Sequence, residues 1–268
     1  MIGFCNSIFL KINNRTHKYF IFIAAFLCIY TTNAQLVNIE TRRMQTDSIR
    51  FVMNSDLLFS YADNNDAYIL QTKANLGAQL KSKDYRKLYF FIANYNVIRS
   101  EDEDFQNSWF AHVRFNYKLP KNFAFETFIQ TQNDQNLTIV HRNLLGVGFR
   151  YKLMGTKNTR MYLGNSYMYE IEGLENSVET FYNHRHNAYV SVNKKFDNLN
   201  VKFIGTLYFQ PLYRNFKNNK TLLQLKSEVP LNKTISLSAL LNYFVIQFDS
   251  DLENDKSTNV NFGFTFKV

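Results

Sequence analysis

The chain has 268 residues, with 31 basic and 22 acidic side chains, a formal charge of +9 and a mean hydropathy of -0.30. Three prolines and nine glycines exclude long flexible linkers, and the mildly polar average argues against a protein built of apolar membrane helices. The 26 Phe and 17 Tyr, beside a single Trp, suit a surface that meets both hydrocarbon and lipid headgroups.

The N-terminal segment has the features of an export signal. Basic side chains over residues 11–18 precede an apolar run from Tyr19 to Tyr30, and Thr32 and Ala34 have the small-residue spacing that signal peptidase accepts. The run is shorter than the roughly 20 residues with which a helix crosses about 30 Å of hydrocarbon. We therefore expect residues 1–34 to be a cleaved signal peptide.

Two other interpretations of this segment are a buried core helix and a lipid anchor on Cys28, and bulky residues before Cys28 argue against the anchor. Cleavage after Ala34 gives a mature chain that begins at Gln35, with residues 35–49 as a short periplasmic segment. It also removes both cysteines, the other being Cys5, which excludes a disulfide scaffold, a cysteine zinc site and thiol catalysis. The 28 basic side chains that remain against 22 acidic ones leave a charge of +6, and an exported protein is not expected to bind nucleic acid.

After about residue 50 the side chains alternate between apolar and polar with a period of two, which predicts strands rather than helices. Between residues 107 and 119, for example, Trp109 and Val113 fall on one face and His112 and Arg114 on the other. Most predicted strands are longer than the about 5–6 residues usual in globular proteins, and a tilted membrane strand needs roughly 9–11 residues. About twelve strands are predicted, over residues 50–62, 67–81, 86–99, 105–119, 122–132, 138–153, 159–171, 180–194, 199–212, 220–230, 235–248 and 257–268.

This pattern predicts an all-β fold, an antiparallel up-and-down transmembrane β-barrel whose polar face lines the lumen. An Arg that faces lipid near the midplane costs roughly 2–4 kcal/mol, so the faces that carry several Arg side chains must point inward. The charged side chains expected to line the lumen are Lys73, Arg114, Glu126, Arg142, Arg150, Glu170, Arg185, Lys202, Lys226 and Glu228. Bulky neighbours on the same faces predict a constricted interior; they are Phe90, Phe110, Phe128 and Tyr208.

The connections between predicted strands alternate in charge. Those after odd-numbered strands are mostly acidic, as in residues 101–104, whereas those after even-numbered strands are mostly short and basic, as in Pro120-Lys121. The ninth connection breaks the pattern with Arg214, Lys217 and Lys220. An even number of strands puts both termini at one rim, and short turns at that rim predict that it lies in the periplasm. A soluble β-sandwich with randomly charged loops is the alternative.

The last predicted strand alternates from Val260 to Val268. An amphipathic final strand is the kind of signal that barrel-assembly machinery binds, although an aromatic last residue is more usual. We therefore expect this machinery and outer-membrane lipid as partners, and the outer membrane as the location.

Three stretches of the sequence, Arg142–Arg150, Tyr162–Glu170 and Tyr182–His186, resemble the family of salt-induced outer membrane proteins. The resemblance covers most of residues 50–268, and that family is itself a β-barrel domain of unknown function. It implies an outer-membrane barrel and supplies no catalytic residues.

His184 and His186 are the residues most suggestive of chemistry, because two imidazoles at this spacing on one strand face can share a metal. No third ligand is evident, and hydrogen bonds at the membrane interface explain the pair more simply. A lipid hydrolase would need a nucleophile beside a base, and no serine lies two residues from either histidine. The sequence therefore predicts no catalytic residue, no metal, no cofactor and no enzyme activity.

Functions of several classes are compatible with such a barrel. A narrow channel for small solutes predicts conductance in bilayers, whereas an envelope-stress-related barrel or a purely structural or interaction barrel predicts none. A lipid hydrolase or acyltransferase, the least favoured, predicts turnover of membrane lipid. The solute, the state of the lumen and the oligomeric state are left open.

Overall fold

The computed structural model describes residues 49–64, 67–100, 106–135, 139–175, 179–247 and 255–267. The predicted signal peptide, its cleavage site and residues 35–48 lie outside these ranges. The described residues form one closed barrel of twelve antiparallel strands, each paired with its neighbours in sequence, with β1 paired to β12. The predicted up-and-down barrel is therefore confirmed. The strands are β1 (Phe51–Asn64), β2 (Ala67–Lys81), β3 (Lys87–Ser100), β4 (Gln106–Lys118), β5 (Phe123–Asp134), β6 (Ile139–Gly155), β7 (Thr159–Leu174), β8 (Thr180–Phe196), β9 (Val201–Leu212), β10 (Asn215–Pro230), β11 (Ile235–Gln247) and β12 (Asp255–Lys267).

The start of β10 is the strand boundary that the sequence prediction misses most. Residues 213–219 read as a polar loop, yet β10 begins at Asn215, opposite Leu212 of β9. The register then shifts, so that the next paired residue is Asn219, opposite Pro211. This irregularity holds the extra residues without ending the strand, which a simple alternation rule cannot detect. Within the described part of the chain, no helix has the length and hydropathy needed to cross a membrane.

The two faces of each strand differ in side-chain exposure. In β6, Leu145, Val147 and Phe149 are exposed on the outer wall, whereas Leu144 and Arg150 are buried inside. A shift of one residue would exchange the two sets and turn the charged side chains outward, so the alternation determines the register.

Apolar side chains fill part of the interior. Two inward rings lie over glycines of the neighbouring wall: a Cβ atom at Gly146 would lie 2.1 Å from Cζ of Phe128, and one at Gly164 would lie 2.0 Å from Cε1 of Tyr189. These glycines therefore let the rings lie flat against the wall. The interior apolar groups are Phe90, Ile92 and Phe110; Phe128, Leu144 and Met168; and Tyr189, Tyr208, Leu222 and Phe244.

The rim at which β1 begins and β12 ends, here called the terminal rim, is basic. Its β4–β5 hairpin turns at Lys121 and Asn122, both with positive φ, as a type I′ hairpin turn requires. Two exposed acidic groups at this rim accept hydrogen bonds from neighbouring side chains. The hydrogen bond from the Ser82 hydroxyl lowers the pKa of Asp84, and the hydrogen bond from Lys195 lowers the pKa of Asp197. The exposed basic side chains of the terminal rim are Arg50, Lys83, Arg86, Lys87, Lys118, Lys121, Lys157, Lys194, Lys195 and Lys233.

The opposite rim, here called the distal rim, does not carry uniformly longer loops. Residues 65–66 alone separate β1 from β2, and residues 213–214 alone separate β9 from β10. The expected contrast between short turns and long loops is therefore wrong for these two hairpins, because their strands continue further than the alternation suggested. The contrast in charge does not depend on loop length.

The wall closes along a short seam. β1 pairs with β12 from Asn54↔Lys267 to Phe59↔Phe262, whereas its pairing with β2 extends from Phe51↔Leu80 to Asn64↔Ala67. Gly263 lies in this seam, where a Cβ atom would come 2.0 Å from the carbonyl oxygen of Leu57. Among the residues that the structure describes, β1 therefore pairs with both neighbours up to Phe59 and with β2 alone beyond it.

Candidate functional site

The candidate site is the interior of the barrel. The ten charged residues that the sequence assigned to the lumen all lie at inward positions of their strands, and nine of them are buried. Lys202 is the exception, with 27% of its side chain exposed, and it lies 3.7 Å from Glu228. The three groups of ion pairs described below include nine of these ten residues, all except Lys73.

The first group, the Glu170 cluster, lies toward the distal rim and consists of Arg142, Glu170, Glu172, Arg185 and Lys220. The Glu170 carboxylate accepts hydrogen bonds from Arg142 Nε at 2.6 Å, Arg185 Nε at 2.5 Å and Lys220 Nζ at 3.2 Å. Lys220 also donates to Glu172 at 2.9 Å. Three cations therefore surround two carboxylates that are almost completely removed from solvent.

The second group, the Glu126 cluster, consists of Arg114, Glu126, Arg150 and Tyr189. Glu126 lies 3.4 Å from Arg114 Nη1 and 3.7 Å from Arg150 Nη1, and it accepts a hydrogen bond of 2.7 Å from the Tyr189 hydroxyl. The Arg150 guanidinium also lies over the ring of Tyr162, 3.6 Å from its centroid, where the π-electron face attracts a cation. Two cations here share one carboxylate.

The third group, the Asp56 cluster, consists of Asp56, Lys202, Lys226, Glu228 and Lys267. Lys226 Nζ lies 3.2 Å from both carboxylate oxygens of Asp56 and 2.9 Å from Glu228. Lys267 donates to Glu228 at 2.8 Å. This cluster also has one more cation than it has carboxylates.

Many of these contacts join adjacent strands, but some join strands that are not neighbours in the wall. Lys220 of β10 reaches Glu170 of β7, and Lys226 of β10 reaches Asp56 of β1, although neither pair of strands is adjacent. Because these two contacts bridge strands that the backbone ladder does not pair, they brace part of the barrel from within. With the apolar groups, they fill the space that a wide aqueous pore would need.

The buried charges of the described residues are more often basic than acidic. There are eight basic side chains, Lys73, Lys81, Arg114, Arg142, Arg150, Arg185, Lys220 and Lys226, against six acidic ones, Asp56, Glu126, Asp134, Glu170, Glu172 and Glu228. Lys202 and Lys267, which are partly buried, add two further cations beside Glu228. A water-poor lumen with this excess has a positive potential.

Sequence reasoning missed five members of the clusters, four of them charged and the fifth Tyr189. It assigned Glu172 to a connection, and it counted Lys220 with the ninth connection although a predicted strand also begins there. Both are strand residues that point inward and form an ion pair, so their place in connections is wrong. Asp56 and Lys267 lie on the inward faces of predicted strands but were not singled out. Continuing the inward set Leu222, Gln224 and Lys226 back by one step would have identified Lys220.

His184 and His186 lie on the outer wall near the distal rim rather than in the lumen. His184 Nδ1 is hydrogen-bonded to the hydroxyl of Tyr167, and His186 Nδ1 lies 3.1 Å from the hydroxyl of Tyr213. The part of the chain that the structure describes contains no group of three or more side chains placed to hold a metal ion. The geometry of the pair is that of hydrogen-bonded aromatic residues at a membrane surface.

Comparisons with known proteins agree with this fold. A sequence model of the family described as "Protein of unknown function, DUF481" matches residues 70–266. The chain is similar to the solved structure of a NanC porin, with 13% identity over 82% of this chain and 100% of that one, and a TM-score of 0.51. It is similar to the COG4313 outer membrane channel from Pseudomonas putida F1, with 7% identity over 84% and 100%, and a TM-score of 0.52. No curated protein matches the sequence.

These likenesses concern the fold and not the substrate, because the identities are low. The expected family, a domain of unknown function that folds as an outer-membrane barrel, is confirmed. Its association with salt induction stays a prediction, as do the signal peptide and the position of the termini.

Proposed function

This chain belongs to the family described as "Protein of unknown function, DUF481", and from that premise we propose that it is an outer-membrane channel of low conductance that prefers small anions. The single observation that carries the proposal is the excess of buried cations over buried carboxylates among the lumen residues that the structure describes. Rings of Arg and Lys are the usual lining of pores for anions and phosphates. The proposal includes a cleaved signal peptide and periplasmic termini.

A role in bracing the barrel does not by itself require so many buried charges. Burying an ion pair removes two charges from water, and well-packed apolar side chains of similar size often stabilise a protein as well or better. Charges retained at several levels of the lumen are therefore better explained by contact with charged solutes. In the Glu170 cluster, the carboxylates occupy positions where an anion in transit would meet the same donors, Arg142, Arg185 and Lys220.

Conduction through this lumen requires the ion pairs to exchange partners. A small anion that enters from the distal rim would compete with Glu170 and Glu172 for Lys220, which already bonds to both. The narrow, low-dielectric lumen strengthens these interactions and repels cations, because its net charge is positive. The expected channel therefore opens in small steps and excludes large solutes.

The test is conductance of the refolded protein in planar bilayers with a salt gradient of potassium chloride. We expect small current steps whose reversal potential has the sign of chloride permeation. Lys220→Gln should reduce the anion preference, whereas Lys233→Gln, which removes an exposed charge at the terminal rim, should not. Cation preference in the wild type, or equal effects of the two variants, would contradict the proposal.

A structural barrel without conductance is the second candidate, and the apolar groups in the lumen favour it. Phe244, Leu222 and Tyr208 pack together inside the barrel and leave little room beside the charged clusters. The same bilayer experiment separates the two candidates: inserted protein with heat-dependent electrophoretic mobility but without current steps would favour the structural barrel.

A further inference from the structure

We propose that the outer wall at the distal end of β7, β8 and β9 binds the phosphate group of an anionic lipid. This site is independent of the lumen and of any conductance. Four aromatic side chains and two basic ones surround it: Tyr167, Tyr213, His184 and His186 form hydrogen-bonded pairs, and Arg214 and Lys217 follow in the β9–β10 hairpin.

The two imidazoles are oriented by tyrosine hydroxyls. Tyr167 bonds to Nδ1 of His184, and Tyr213 lies 3.1 Å from Nδ1 of His186. When a hydroxyl donates to Nδ1, the neutral imidazole carries its proton on Nε2. Neither Nε2 has a hydrogen-bond partner among the described residues, so in this tautomer the pair offers two N–H donors to a ligand at the membrane surface.

The rings around these donors form one continuous surface. Tyr167 and Tyr213 stack with centroids 5.9 Å apart, and His186 meets the ring of Tyr213 edge-on at 5.8 Å. Tyr213 and Tyr167 are both exposed on the outer wall. Amphipathic rings at this depth contact the upper part of acyl chains and leave their polar atoms near the headgroups.

Hydrogen bonds within the adjacent β9–β10 hairpin fix the backbone that carries its basic side chains. Asn215 accepts a hydrogen bond from the backbone N–H of Lys217 at 3.1 Å, and the Asn219 amide donates to the carbonyls of Phe216 at 3.3 Å and Lys217 at 3.1 Å. Arg214, Phe216 and Lys217 are exposed. In the sequence, the apolar ring of Phe216 thus lies between the cations Arg214 and Lys217, next to the membrane-facing wall.

Charge complementarity identifies the occupant. Four of the five other distal connections contain Asp or Glu, whereas residues 213–219 contain Arg214 and Lys217 and no acidic residue. A lipid phosphate satisfies both cations and both imidazole N–H groups, while its acyl chains cover the tyrosine rings. A phosphomonoester, which carries between one and two negative charges near neutral pH, fits this donor set better than a zwitterionic headgroup.

The experiment is native mass spectrometry of the refolded barrel in detergent with dioleoyl phosphatidic acid or dioleoyl phosphatidylcholine. We expect the wild type to retain phosphatidic acid in preference to phosphatidylcholine. The double variant Arg214→Gln, Lys217→Gln should retain about tenfold less phosphatidic acid, since it loses charge-assisted hydrogen bonds. Lys256→Gln, which removes another exposed charge at the distal rim, should retain as much as the wild type.

A second pair of variants tests the imidazoles without changing any charge. Tyr213→Phe removes the hydroxyl that orients His186 and should weaken retention of phosphatidic acid, whereas Tyr243→Phe, on the outer wall away from the site, should not. Equal retention of both lipids, or no loss in the double variant, would overturn the proposal. Complete displacement by excess inorganic phosphate would assign the site to free phosphate, and a dimer abolished by the double variant would assign it to a second copy; either result would also overturn it.

Discussion

The Tyr189 hydroxyl donates a hydrogen bond of 2.7 Å to Glu126 across the lumen, from β8 to β5. Two strands separate them in the wall, so the bond is a cross-lumen tether and not a contact between neighbours. Its geometry depends on Gly164, because any Cβ at that position would occupy the place of the Tyr189 ring. The absence of a methyl group at Gly164 thus allows Tyr189 to bond to a carboxylate three strands away in the wall.

Tyr189→Phe should weaken the barrel and widen its passage. The variant keeps the ring but loses a hydrogen bond to a charged group, which contributes about 1.5–3 kcal/mol. We expect a lower unfolding midpoint in urea and larger current steps in bilayers. Tyr151→Phe, whose ring lies against Phe123, is the control and should change neither measurement. Unchanged conductance together with unchanged stability would argue against the tether.

Glu170→Gln should be more damaging than any substitution of an exposed carboxylate. It leaves three buried cations with Glu172 as their remaining acidic partner, and breaking a buried ion pair costs about 3–5 kcal/mol. We expect a marked fall in folding yield and urea midpoint, and Glu175→Gln, which changes an exposed residue near the same rim, should have little effect. Adding Lys220→Gln to Glu170→Gln should recover part of the loss, and a further fall instead would contradict the charge argument.

Val147→Arg and Arg150→Gln compare the outer and inner faces of β6. Val147 is exposed to lipid, and an Arg there should cost roughly 2–4 kcal/mol and prevent assembly. Arg150→Gln should cost less, because Glu126 keeps Arg114 and Tyr189 as partners. The measurement is the fraction of refolded protein with heat-dependent electrophoretic mobility. Equal fractions for the two variants would mean that the faces are assigned wrongly.

Trp109, the single tryptophan, should report contact with lipid directly. It lies near the distal end of β4 with 42% of its surface exposed on the outer wall. Its fluorescence should be quenched more by lipids brominated close to the headgroup than by lipids brominated deep in the acyl chain. The double variant Trp109→Phe, Val113→Trp moves the probe about 13 Å along the strand and should reverse that order. Absence of quenching in both proteins would contradict membrane insertion.

Labelling of cysteine variants on intact cells tests the orientation. Cysteines in place of Glu175 and Lys217, at the distal rim, should react with an impermeant reagent. Cysteines in place of Lys121 and Asn232, at the terminal rim, should react only after lysis, since we place that rim in the periplasm. The wild type is the control and should stay unlabelled if the signal peptide with both native cysteines has been removed. The reverse pattern of labelling would mean that the terminal rim faces the outside of the cell and the distal rim faces the periplasm.

Much of the barrel wall could be predicted from the sequence, because apolar residues that face lipid alternate along each strand with polar residues that face the lumen. The lipid-facing Val113 and the inward Arg114 follow directly from the cost of exposing charge to hydrocarbon. The prediction failed at residues 215–219, where a register shift lets a polar segment belong to β10. Local alternation cannot detect such a shift, because the shift depends on how two strands pair.

The partners within the lumen were less predictable than its lining. Sequence indicates that Lys226 and Asp56 face inward, but they are separated by most of the chain and meet only because the barrel closes. Their contact depends on the tilt and stagger of all twelve strands. The rings over Gly146 and Gly164 likewise depend on which residue of the adjacent strand lies opposite.

The short seam between β1 and β12 is the place where the barrel wall should separate first. Beyond Phe59 and Phe262, the edges of β1 and β12 that face each other carry no ladder hydrogen bonds in the described chain, and unpaired peptide groups are costly inside a bilayer. Thermal unzipping should therefore begin at the distal end of this joint, where backbone amides will exchange with deuterium first. The same unpaired strand edges can pair with a strand of another protein. The seam is therefore a site for strand addition as well as the place where unfolding begins.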